Sequence, residues 1–311
     1  MKKNLIIGLG VLAVVVVVIV LLMLGSNSSK TEINTDDNST ISDSITISVQ
    51  PYGKNKPLNI TVLLDLSDRI TKSTNPSNTE RDIAIVKNVI SVFKNDIANK
   101  QLVLMDGCLK VLFYPTPNDT NMASLAQELE VSVSKNTSNL KDIVTTNMLE
   151  QKFENNLKTI YDKALKQNKW PGCDIWNFIK SKQNLYMKDA KYRNILVIVT
   201  DGYVYHQNAK FNSGKRYSYL LGSNIAPYRD PVNYDTKIQN DDFGLISTKN
   251  DLSGLEVLVL EVNPEQGKPV DYDIIKLVLS NWFKEMGASK CEVYQTDLPS
   301  NTKVNIDKFF K

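Results

Sequence analysis

The hydrophobic and polar positions of this chain fall into a few long apolar runs, each ending abruptly in polar residues. Asn59-Ile-Thr-Val-Leu-Leu-Asp65-Leu-Ser67-Asp68-Arg69 is the leading example: a β-branched, apolar stretch runs directly into acids and a hydroxyl. Such a run reads as a strand buried on both faces of a parallel sheet. Asn194-Ile-Leu-Val-Ile-Val-Thr200-Asp201-Gly202 repeats the pattern, and Leu255 to Val262 and Cys291-Glu-Val-Tyr294 read as further strands. Helical spacing follows the first run: Ile83, Val86, Ile90, Phe93 and Ile97 make one apolar stripe, with Thr79-Glu-Arg-Asp82 resembling a capping box ahead of it. Gln101 to Met105 and Leu109 to Tyr114 read as a hairpin turning at Asp106-Gly107, which places the 109–114 strand antiparallel at or near an edge. Residues 120–132 and 146–168 carry helical spacing, and Asp174 stands at an N-cap position before Ile175, Trp176, Phe178 and Ile179. Asp271 occupies a similar position before Ile274, Ile275, Val278, Trp282 and Phe283, and a short helix closes the chain over 301–310. Strands and helices mostly alternate, which predicts a doubly wound, mostly parallel α/β sheet with helices on both faces.

The first residues break this pattern. Lys2 and Lys3 precede an uncharged, Val- and Leu-rich stretch from Leu5 to Leu24, long enough to cross a bilayer as a helix. No small-x-small cleavage site follows, so residues 1–25 read as an uncleaved signal anchor, in the membrane through 4–24. The amino-terminal lysines place the bulk of the chain on the non-cytoplasmic side of the cytoplasmic membrane, as a single-pass protein of the cell envelope. Residues 26–44, rich in Ser, Asn, Thr and Asp, read as a flexible tether, and 45–311 as the folded domain, opening with an alternating edge strand at Ile45 to Val49.

Charge adds little. The chain has 37 basic and 34 acidic residues, two of the basic ones being Lys2 and Lys3, so the exported part is near neutral and bears no nucleic-acid footprint. Cys108, Cys173 and Cys291 make neither a zinc spacing nor a disulfide framework.

The chemistry concentrates at the strand ends. In open parallel sheets ligands bind beyond the carboxyl ends of the strands. Asp65, Ser67 and Asp201 would meet there and offer oxygen ligands to a hard cation. Both acids would equally serve as strand-end acceptors or helix caps. The carboxylates need a countercharge, since like charges raise one another's pKa. Either a divalent ion or the Arg69 guanidinium supplies one, unless Arg69 points to solvent. Ser67 as a nucleophile has no Gly-x-Ser-x-Gly setting, and His206, the sole histidine, lies in a loop.

Asp65-Leu-Ser67 at one strand end and Thr200-Asp201-Gly202 at another resemble the von Willebrand factor type A family, across roughly 59–311. The resemblance implies a binding module for a protein ligand or envelope assembly partner, in which a partner's acidic side chain completes the shell of a Mg2+ or Mn2+ ion. Asp65, Ser67 and Asp201 would be the metal ligands. The chain departs from the family at Arg69, where a second Ser is expected, and at Cys173, where the middle loop supplies Thr. Asp174, next to that cysteine, is a further donor if the loop shifts by one residue, and otherwise a helix cap. The resemblance implies no catalysis. The alternatives from other classes are a metal-dependent hydrolase or phosphotransferase using Asp65, and a structural assembly component whose metal site is dead.

Residues 203–254 form a long insert directly after Asp201, without regular periodicity. Its tyrosines, Tyr203, Tyr205, Tyr217, Tyr219, Tyr228 and Tyr234, accompany Arg216 and Arg229, residue types favoured at recognition surfaces. Two or three should pack the insert on the sheet. The rest, with Arg69, are expected to form a partner-binding rim beside Asp65 and Ser67.

Overall fold

The computed structural model describes residues 56–100, 106–167, 170 and 172–311. The anchor at 1–25, the tether at 26–44, the Ile45–Val49 strand and the first arm of the expected hairpin lie outside the described residues. Among those described, no helix is long and apolar enough to cross a membrane.

Among the described residues there are nine strands: β1 (Leu58–Leu64), β2 (Asp106–Leu112), β3 (Glu130–Ser134), β4 (Arg193–Val199), β5 (Asn212–Ser213), β6 (Arg216–Tyr217), β7 (Gly244–Leu245), β8 (Leu255–Val262) and β9 (Lys290–Gln295). Six make the main sheet in the order β3-β2-β1-β4-β8-β9. All neighbours are parallel except β2 and β3. The order reverses between β1 and β4, which pair from Leu58↔Arg193 to Leu64↔Val199. A crevice opens at such a reversal beyond the carboxyl ends of the strands, because the connections leave towards opposite faces.

Every residue of β1 is buried, as its uninterrupted apolar run requires. Ile60, Val62 and Leu64 face a core built from the Asn78–Asn99, Met148–Gln167 and Pro299–Phe310 helices. Leu63 faces a second core with the Ile175–Ser181 and Val270–Glu285 helices and the insert. Asn59 and Thr61 also fall inside, where the Asn59 amide donates to Asn194 Oδ1 (2.8 Å), its own Oδ1 meeting no donor among the described residues, and Thr61 donates to the Leu185 carbonyl (3.0 Å). Each fully buried aliphatic side chain contributes about 1.5–3 kcal/mol relative to exposure, so the two faces together hold β1 and β4 rigidly under the site.

Several expectations are corrected. Asp106-Gly107 is no turn: it opens β2, which runs parallel to β1 inside the sheet. Gly107 serves packing, since a Cβ there would lie 3.0 Å from the Phe93 ring of the covering helix. The antiparallel edge strand is β3, over Glu130-Val-Ser-Val-Ser134, where helical spacing through 132 was expected. The helix stops at Gln127, and the alternation of polar and β-branched residues pairs with β2 instead. The capping box belongs to Ser77 and Glu80, not to Thr79 and Asp82. Pro269, not Asp271, is the N-cap of the Val270–Glu285 helix. Asp271 is wholly buried and held by two Arg229 nitrogens, Nε at 2.7 Å and Nη2 at 2.9 Å.

Candidate functional site

Asp65 leaves β1 with its N–H still bonded to the Val199 carbonyl of β4 (3.0 Å). Its side chain is therefore fixed at the sheet's switch point. Oδ2 accepts from the Thr200 hydroxyl at 2.9 Å, while Oδ1 is buried and meets no donor among the described residues. Burial pushes the Asp65 carboxyl up to about 6, and the Asp201 charge adds to the rise. The nearby Arg69 charge and the Ser67 and Thr200 hydroxyls oppose it.

Ser67 caps a short 3-10 turn, Asp68–Thr71, its Oγ accepting the Arg69 N–H at 3.4 Å. That turn folds Arg69 inward, to 2 % exposure. Arg69 Nε donates to the Asp65 carbonyl (3.0 Å), and Nη2 pairs with Asp82 Oδ2 at 2.6 Å; Tyr161 OH donates to the same oxygen, also at 2.6 Å. The contact from Arg69 Nε to Asp65 Oδ2 is longer, 3.9 Å. Arg69 thus neither points to solvent nor reaches a partner, which corrects its assignment to the partner-binding rim. Its principal partner, Asp82, lies four residues before Val86 and eight before Ile90, on the buried stripe of the Asn78–Asn99 helix. An acid on a buried helical face requires a cation or a proton, and that spacing is the signal for it in the sequence.

The same turn delivers Lys72, which carries no motif signal. Lys72 Nζ lies 2.8 Å from Asp201 Oδ2, with Lys72 45 % and Asp201 13 % exposed. Asp201 Oδ1 accepts the Tyr203 N–H at 3.2 Å. Between them Gly202 turns β4 into the insert at φ +94°.

The middle loop is tied to β1 and to the insert: Gly172 N–H donates to the Leu66 carbonyl (3.1 Å), and Cys173 bridges to Tyr205. Burial pushes the Cys173 thiol well up. Asp174 is a helix cap: Oδ1 accepts the Asn177 N–H (3.1 Å), Oδ2 accepts from Asn177 Nδ2 (2.6 Å), and His206 Nδ1 stands 3.4 Å from Oδ2. Its oxygens are engaged there, and it does not line the cavity described next.

A cavity of about 400 Å³ opens over these residues, lined by Asp65, Ser67, Asp68, Lys72, Cys173 and Asp201 from the sheet side. Tyr203, Tyr205, Leu221, Gly222 and Glu265 complete it. The structure thus brings together Asp65, Ser67, Asp201, Tyr203 and Tyr205 and leaves Asp174, Arg69, Tyr217 and Tyr219 outside. Tyr217 packs on Tyr219 (ring centroids 5.3 Å) and on Phe243 (6.1 Å) within the insert. Tyr228 stacks on Phe243 at 4.2 Å and is buried. The insert is ordered around β5-β6-β7 and packed on the second core.

The donors do not fit a resident divalent ion as they stand. Mg2+ demands a near-octahedral oxygen shell. Here an ammonium occupies Asp201 Oδ2, the middle loop offers sulfur, and Asp174 is spent on its cap. Among the described residues no three Asp, Glu, His or Cys side chains converge as a metal-holding group. Asp65 Oδ1 is buried without a donor among the described residues.

No protein-family model matches the chain, and no curated protein matches it. Among solved structures, an aerotolerance-related membrane protein from Bacteroides fragilis NCTC 9343 overlaps at 12 % identity and a TM-score of 0.38, over 81 % of this chain and 98 % of that one. The pilus adhesin SpaC from Lactobacillus rhamnosus GG overlaps at 13 % identity and a TM-score of 0.39, over 82 % of this chain and 30 % of that one. Overlaps of this size assign neither a family nor a function.

Proposed function

We propose that the chain is a binding module of von Willebrand factor A type, held at a membrane by residues 4–24, that docks a protein partner over the cavity between β1 and β4. The observation that carries the reading is the convergence, at the sheet's switch point, of both strand-end acids with Tyr203 and Tyr205 of the insert. Catalysis has no support in the geometry: Ser67 Oγ serves Arg69 N–H, and the sole histidine is turned to Asp174. In this reading the site works without a divalent ion. Lys72 supplies the positive charge that the ion would bring.

Two measurements test it. A photo-crosslinking benzoylphenylalanine at position 205 (Tyr205 is 42 % exposed) should trap one protein in the native host, with or without EDTA. The same group at position 304, exposed on the closing helix, should not. Equal adducts from both positions would remove the cavity from the interface. Separately, 5 mM Mg2+ or Mn2+ should move the melting temperature of the full chain by less than about 1 °C, because a ligand stabilises only by binding the folded state. A saturable rise of several degrees would restore the metal.

A further inference from the structure

The cavity is unbalanced in charge. Among the described residues four carboxylates line it, Asp65, Asp68, Asp201 and Glu265, and Lys72 is the one basic side chain in that lining. The Arg69 guanidinium behind it is engaged by Asp82. Glu265 has a partner outside the lining, Lys268. Asp65, one of the lining residues, is 3 % exposed, and its Oδ1 is buried without a donor among the described residues. An under-paired buried carboxylate makes the potential in the adjoining cavity more negative, which favours a cationic group there.

The ammonium present is poorly retained. Lys72 is 45 % exposed, and a pair of that kind contributes at most about 1 kcal/mol. Two tyrosines line the same cavity. Tyr203 is anchored by its hydroxyl, which accepts the Glu265 N–H at 3.2 Å, and Tyr205 is exposed. Tyrosine faces attract cations. The volume, about 400 Å³, is at the small end of ligand cavities and suits one side chain better than a large cofactor.

We propose that this cavity receives a basic side chain of the protein partner, arginine in preference to lysine, and that Lys72 is a tethered cation which holds the place until the partner displaces it. The inference rests on the binding-module reading and names its partner chemistry. Arginine is preferred because its planar fork spans carboxylate oxygens bidentately and stacks on tyrosine, whereas an ammonium does neither. An acidic group, the partner type implied by the family resemblance, would meet four carboxylates and one ammonium already committed to Asp201. Phosphate groups meet the same repulsion.

The test titrates the full chain, ring-labelled at tyrosine, with acetyl-arginine methylamide and acetyl-glutamate methylamide, and follows the Tyr203 and Tyr205 resonances. The arginine probe should shift both rings saturably at millimolar concentration, and the glutamate probe neither. Lys72→Met should tighten arginine binding up to about fivefold, the worth of the displaced surface pair. Asp201→Asn should weaken it by at least that factor. Asp68→Asn, at an exposed residue, should weaken it less and guards against misfolding of the Asp201 variant. Shifts caused by the glutamate probe, by 5 mM Mg2+ alone, or by arginine equally in all variants would overturn the proposal, as would no shift at all. An arginine failure beside a retained crosslink from position 205 removes the basic partner and leaves the module standing. Loss of that crosslink removes the module itself.

Discussion

Arg69→Met should destabilise the fold by about 3–5 kcal/mol at pH 7.5, the usual cost of leaving a buried charge without its partner. The reason is the composition of the buried group. Asp65 and Asp82 are 3 % and 0 % exposed, and Arg69 is the guanidinium between them. Burial pushes both carboxyls up to about 6 even with Arg69 present to hold them down. Acids raised in this way favour folding most below their unfolded pKa, near 4. Between pH 4 and 6 the folded state keeps protons that the unfolded state has lost. Their contribution therefore declines as pH rises through that window and is gone above it. In Arg69→Met the carboxyls rise further, so the cost of the substitution should shrink towards about 1–2 kcal/mol at pH 4.5, where only lost packing and hydrogen bonds remain. Urea unfolding at the two pH values measures this. Adding Asp82→Asn removes the stranded charge while keeping an acceptor for Tyr161, and should recover about half of the loss at pH 7.5. A pH-independent cost, or a double variant no better than the single one, would show that Arg69 acts through packing alone.

Gly202→Ala should cost about 2–4 kcal/mol, because two separate penalties fall on one methyl group. At φ +94° the backbone sits where side chains are rarely tolerated. The added Cβ would also lie 2.9 Å from Ile275 Cγ2 and 2.9 Å from Val262 Cγ1, both buried in the second core. Relief requires Gly202 to move, and Asp201 moves with it, away from Lys72. The substitution should therefore lower thermal stability and also abolish the crosslink from position 205. A variant with unchanged melting would mean that the β4 exit adapts without strain. A destabilised variant with full crosslinking would separate this turn from the interface.

The main strands were readable in sequence because burial on both faces writes itself as unbroken apolar runs. β1, β4 and β8 appear where Asn59 to Leu64, Asn194 to Val199 and Leu255 to Val262 place them, and the helix under Ile83 to Ile97 follows its stripe. The strand-end position of Asp65 and Asp201 follows from the same runs. Local pattern failed where tertiary contact decides. Gly107 looks like a turn residue until Phe93 is placed against it, and Glu130 to Ser134 looks helical until β2 offers an edge. The insert has no period because its tyrosines pack on one another and on Phe243. The countercharge was the deepest such case. Sequence determined that carboxylates would gather beside Arg69, but electrostatic pairing is settled by distance in space, and only the folded chain brings Asp82 to Arg69 across 2.6 Å and Lys72 to Asp201 across 2.8 Å. A motif reports which residues sit near one another along the backbone. Which charge neutralises which depends on how the turn after β1 folds back over the sheet.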